Sequence, residues 1–120
     1  MEIVNMFEYH GWFTSSKNAN ADEIENRLKD LNHPYPAYAD FVNGQLHISF
    51  SGNPNRESNY INSITDYLLG LKLKLYGVIY INDATTDRYD RFDIVKIVND
   101  KKYTLEDNNF SIEETRLLFK

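Results

Sequence analysis

The chain has 120 residues, enough for one domain with a single sizeable core and too few for two. Hydrophobic residues make up 42% and charged residues 26%, with 9 Tyr and 7 Phe, a balance that excludes a disordered chain and suits strands and contact surfaces better than a helical bundle. Thirteen Lys and Arg against 18 Asp and Glu give a formal charge of −5, which argues against a nucleic-acid binder and favours a basic protein partner. With no cysteine there is no disulfide framework, no thiolate nucleophile and no cysteine-based zinc site. The amino end lacks a basic stretch followed by an apolar one, and no run approaches the roughly 18 apolar residues of a membrane span, so the expectation is a cytoplasmic protein with no membrane partner.

Met6 to Thr14 alternates as a strand, with Phe7, Tyr9, Gly11 and Phe13 on one side and Met6, Glu8, His10 and Trp12 on the other. Asn20 reads as a helix N-cap with Glu23 three residues on, and Ala21, Ile24, Leu28 and Leu31 recur at helical spacing. Asn32-His33-Pro34-Tyr35-Pro36 ends that helix, because proline disfavours the helical conformation in the residue before it and has no amide to donate. Tyr38–Val42 and Gln45–Ser51 flank Asn43-Gly44, a two-residue hairpin signal, since both central positions of that turn need positive φ. Asn53 and Pro54 predict the start of a second helix whose apolar stripe is Tyr60, Ile61, Ile64, Tyr67, Leu68 and Leu71, with Gly70 at its end.

Leu73 to Asp83 is the longest apolar-rich run and predicts a central strand. Leu73, Leu75, Gly77, Ile79 and Ile81 point to one face, and Lys74, Tyr76, Val78 and Tyr80 to the other. A polar loop over Asn82–Tyr89, a strand over Arg91–Val98, a turn at Asn99-Asp100 and a strand over Lys102–Leu105 follow. Ser111 with Glu114 opens a short terminal helix. The fold class is α+β. The order predicts a two-layer sandwich with a ferredoxin-like βαββαβ core extended by a C-terminal β-hairpin, residues 1–120 forming one domain. Both helices then cover one sheet face, with Gly11 and Gly77 letting a helix approach closely. The opposite face exposes Glu8, His10, Trp12, His47, Ser49, Tyr76, Val78 and Tyr80 together.

Motifs for chemistry are few. His10, His33 and His47 match no helical metal-binding spacing, and ordinary surface or hydrogen-bonded histidines account for them. Glycine-rich phosphate loops and a Gly-x-Ser-x-Gly elbow are absent. Asp83, Asp87, Asp90 and Asp93 lie along a loop and the strand after it, where acids are usually solvated rather than catalytic. No cofactor and no catalytic residue is expected. As a surface the same acids mean more: with Glu106, Asp107, Glu113 and Glu114 they make two acidic patches that would steer a basic partner.

Three stretches resemble a known family. They are Phe7-Glu8-Tyr9-His10-Gly11-Trp12, then Ser51-Gly52-Asn53, then Leu75-Tyr76-Gly77-Val78-Ile79-Tyr80-Ile81-Asn82-Asp83 followed by Arg91-Phe92-Asp93-Ile94. Together they are similar to the immunity-protein-seven family of bacterial polymorphic toxin systems, distinct from the four-helix colicin immunity proteins. The likeness runs from Met6 to about Leu105 and departs at Ala84-Thr85-Thr86, where the family pattern carries more acids, and in the tail. It implies a non-enzymatic cytoplasmic protein that binds and neutralises a cognate toxin domain. On the face argument, the partner-binding residues expected are Glu8, His10, Trp12, Tyr76, Tyr80, Asp83, Asp87 and Asp90. Two other readings stand beside this one: a small-molecule binding module or hydrolase using His10, His47 and Tyr80, and a homo-oligomer formed through the same face.

Overall fold

The computed structural model describes residues 7–54, 59–83 and 93–106. Eight elements follow in the order β1 (Phe7–Ser15), α1 (Ala21–Leu31), β2 (Ala37–Val42), β3 (Gln45–Gly52), α2 (Tyr60–Gly70), β4 (Tyr76–Asp83), β5 (Asp93–Val98) and β6 (Lys101–Glu106). The fold is α+β. Every strand pairing is antiparallel, and the sheet runs β2-β3-β1-β4-β5-β6, so β1 and β4 lie side by side at its centre, as the order of elements predicts.

Alternation sorts each strand between two environments. Tyr9 and Phe13 of β1, Leu46, Ile48 and Phe50 of β3, Ile79 and Ile81 of β4, and Val95 and Ile97 of β5 form one buried cluster with Ile24 and Leu28 of α1 and Ile61, Ile64 and Leu68 of α2. Both helices therefore sit on the same face of the sheet. Gly11 and Gly77 are on this face, as expected, but no helix fills the space they leave. A Cβ at Gly11 would lie 2.7 Å from Phe50 Cε1, and one at Gly77 would lie 2.7 Å from the Cα of Phe13, its neighbour across β1. The glycines make room for Phe50 and Phe13, whose rings stack with centroids 6.1 Å apart.

A polar node ties the amino half together. Asn32, fully buried just past α1, accepts from the Tyr9 hydroxyl and donates through Nδ2 to the carbonyls of Pro36 (2.8 Å) and Ser51 (3.0 Å). Burial pushes the Tyr9 phenol well above its ordinary value, with Tyr60 and Tyr35 adding to the rise. Three of the side chain's hydrogen-bonding positions are used, and their partners lie on β1, just before β2 and on β3.

Several boundaries differ from the sequence reading. β4 begins at Tyr76, not Leu73, because Lys72 and Lys74 take left-handed conformations (φ 55° and 52°) that a strand does not accommodate. Asp100 holds this approach, its carboxylate accepting from the amides of Lys74 (2.9 Å) and Leu75 (3.1 Å). Asn53 and Pro54 precede α2 without capping it; the cap position is Asn59, which makes no side-chain cap bond. Gly70 is the last helical residue, and the left-handed exit falls on Lys72 instead. In α1 the expected cap is present: Asn20 Oδ1 accepts from the Glu23 amide at 3.1 Å. The Asn43-Gly44 turn has φ of 53° and 80°, and Asn99-Asp100 has 55° and 63°, so both are two-residue turns of the primed kind. The terminal helix expected from Ser111 onward, and the loop over 84–92, lie outside the described residues.

Candidate functional site

Strand register places the residues of the face opposite α1 and α2 in rows across the sheet. One row runs Tyr38, Ser49, Trp12, Val78, Lys96, Tyr103; the next runs Asp40, His47, Thr14, Tyr76, Val98, Lys101; a third runs Ser51, His10, Tyr80, Ile94. Glu8 stands opposite Asn82 at the end of β1. Six strands at about 4.8 Å spacing make the first two rows ~24 Å wide, and Glu8 to Thr14 adds ~20 Å along the strands.

Trp12 lies near the middle of this surface with 40% of its area exposed, its ring 6.5 Å from that of His47. Tyr76, Tyr38, Tyr103 and Val98 are also exposed. Lys96 lies over the Tyr103 ring, its Nζ 5.1 Å from the centroid, a cation–π contact at the β6 side. Of the sequence-predicted residues, Glu8, His10, Trp12, Tyr76 and Tyr80 are therefore brought onto one face. Asp83 closes β4 opposite Phe7. Asp87 and Asp90 lie outside the described residues.

Val78 corrects the expectation of a uniformly exposed face. It is only 2% exposed and packs with Ile94, 1% exposed, while half-buried Tyr80 lies against the pair. The face has its own small apolar floor, built when β5 added Ile94 beside Tyr80; β4 alone carried no sign of it. Thr14 is a second buried position, and its Oγ1 has no hydrogen-bond partner among the described residues.

Charge on the face is mixed. Glu8 and Asp40 stand against Lys96 and Lys101, so the acidic character expected of the contact surface does not come from the described part of the sheet. His10 Nε2 is 3.0 Å from Glu8 Oε1 at an exposed site, where such a pair contributes little. His10 and His47 share the face but stand four residues and one strand apart, roughly 14 Å, so they do not converge on a common point. Among the described residues no cluster of three or more His, Cys, Asp or Glu could hold a metal ion, and no helix is long and apolar enough to cross a membrane.

Among the described residues, fold and face together define a two-layer α+β domain whose two helices leave one side of the sheet uncovered, with aromatic side chains at its centre. The chain belongs to the Immunity protein 7 family, whose model matches residues 6–113. The resemblance carried by the His10-Gly11-Trp12 strand and the Tyr76–Asp83 strand is thus borne out, over nearly the same span. No curated protein and no solved structure matched the chain.

Proposed function

We propose that this protein neutralises a cognate bacterial toxin domain by laying the open face of its sheet over the toxin's active site or substrate groove. Membership of an immunity-protein family supports the toxin as partner. The observation that carries the choice of surface is Trp12, a large ring left 40% exposed at the centre of the face that α1 and α2 do not cover. Interface hot spots favour Trp and Tyr near the centre of the contact, because a rigid ring excludes much water for little lost rotamer freedom.

Size sets the extent of the contact. A standard interface takes about 800 Å² from each partner, and the described face projects to only ~480 Å². The sheet supplies the greater part, and the acidic stretch that starts at the last residue of β4, with Asp83, Asp87 and Asp90, supplies the rest and steers a basic toxin surface. We read the strand order β2-β3-β1-β4 as a ferredoxin-like core to which the β5–β6 hairpin is added, widening the face. The protein acts in the cytoplasm and by occlusion, without catalysis.

The test begins with the toxin domain encoded immediately beside this gene. Co-expression should rescue growth, and the purified pair should co-elute as a complex in which Trp12 fluorescence changes. Failure to form a complex, together with failure of rescue, overturns the proposal.

A further inference from the structure

The two edges of the sheet are finished differently. On β2 the two-residue turn at Asn43-Gly44 makes Val42 and Gln45 a hydrogen-bonded pair, so the amides of Ala39 and Phe41 point outward. Both are occupied by carboxylates: Ala39 donates to Glu25 Oε1 at 3.2 Å, and Phe41 donates to Asp40 Oδ1 at 2.8 Å. That edge is closed to a further strand.

At the other end the Asn99-Asp100 turn makes Val98 and Lys101 the paired residues, so Lys102, Thr104 and Glu106 turn their amides and carbonyls away from β5. Among the described residues nothing bonds to these outward groups, and Lys101 through Thr104 are all exposed. The strand's sequence is self-complementary. In an antiparallel ladder, facing residues must both point toward the partner or both away. A two-fold axis at Thr104 satisfies this and sets Lys102 opposite Glu106 of the second copy, Thr104 opposite Thr104, and Tyr103 opposite Leu105. Shifting the register by two in either direction loses the Lys–Glu pairing, leaving Lys102 opposite Thr104 or Thr104 opposite Glu106.

We infer that β6 pairs with β6 of a second copy about a two-fold axis at Thr104, joining two sheets into one continuous antiparallel sheet. Opposite charges, a threonine pair and an aromatic–aliphatic pair are the cross-strand combinations that stabilise such a ladder. Lysine on an edge strand ordinarily repels another chain. Here that repulsion is met by Glu106 in one register only. The contact is small, below the ~1,200 Å² of stable interfaces, so the dimer is weak, with a dissociation constant on the order of 100 µM.

Sedimentation of the full chain from about 10 µM to about 1 mM should show a monomer–dimer equilibrium that salt weakens. Thr104→Pro removes an outward amide at the dyad without touching the ladder to β5, so it should weaken the dimer at least ~10-fold and leave the melting temperature nearly unchanged. Lys102→Glu alone and Glu106→Lys alone should each weaken it about 10-fold, and the two together should restore association to within about 3-fold of the parent. A parent that stays monomeric at ~1 mM overturns the inference, and Lys102 is then an edge guard. So does a dimer that survives Thr104→Pro, which would point to pairing through the open face. A double charge swap that fails to recover refutes the register. Toxin binding is scored separately on the same variants, and its presence or absence leaves these outcomes unchanged.

Discussion

Replacing Trp12 with alanine separates an interface anchor from a structural ring. A tryptophan has up to about 250 Å² to bury, so the 40% left exposed amounts to ~100 Å². At ~25 cal/mol per Å² its burial against a toxin contributes about 2.5 kcal/mol, a roughly 70-fold change in dissociation constant. The larger, already buried part supports the fold, and Trp→Ala changes cost about 3–5 kcal/mol of stability when fully buried. A domain with ~5–15 kcal/mol in hand stays mostly folded after a partial loss of that kind. Ile24→Ala supplies the control: it removes a buried side chain on the helix side and costs ~2–5 kcal/mol without altering the open face. Melting curves and titration calorimetry against the toxin on the same three proteins should give two destabilised variants, of which only Trp12→Ala binds weakly. Equal affinity for Trp12→Ala and the parent would refute the assignment of this face. Equal losses for the two variants would mean that stability, not contact, governs binding.

Gly77→Ala should lower the melting temperature by roughly 10 °C, because the new methyl meets the β1 backbone at Trp12 and Phe13, while Gly70→Ala, with open space around it at the end of α2, should match or exceed the parent. Thr14→Val should raise stability by about 1 kcal/mol, read as a rise of several degrees, since it removes a buried hydroxyl that has no partner among the described residues. Above pH 10 the protein should lose stability steeply. The Tyr9 phenol is raised from 10.0 in the folded state, so its contribution is complete below that value and falls as pH climbs beyond it; in Tyr9→Phe that part of the alkaline slope should vanish in pH-dependent denaturant titrations, and overall stability should drop with the lost bond to Asn32.

The strands were legible because alternation and Asn-Gly or Asn-Asp turns are local signals, and the pairing of β1 with β4 followed from the order of elements. Side-chain accommodation was not local. Gly11 and Gly77 advertised a close approach, yet only the register opposite Phe50 and Phe13 reveals which atoms approach. Val78 looked solvent-facing on parity alone; Ile94, on a strand paired later in the sheet, buries it. Asn32 read as a helix terminator beside Pro34 and Pro36, and nothing nearby in the chain announced that Tyr9 and the Pro36 and Ser51 carbonyls would converge on it. The left-handed Lys72 and Lys74 carried no signal, because lysine has no preference for that conformation. Trp12, Tyr76 and Tyr80 were found as a group because parity suffices to assign a side of a strand. The acids at 87 and 90 had only composition to speak for them.

Placing both helices on one side of the sheet divides each strand into alternating positions with different obligations. Tyr9 and Phe13 answer to the core, whereas Glu8, His10 and Trp12 between and beside them answer mainly to what lies outside. Outside the Val78–Ile94 floor and the buried parts of Trp12 and Thr14, substitutions on the open side draw little on the stability held by the helix-packed side. On the proposal that this face meets a toxin, its contact residues can therefore change one by one, on the same strands, while the helix-packed scaffold that presents them stays folded.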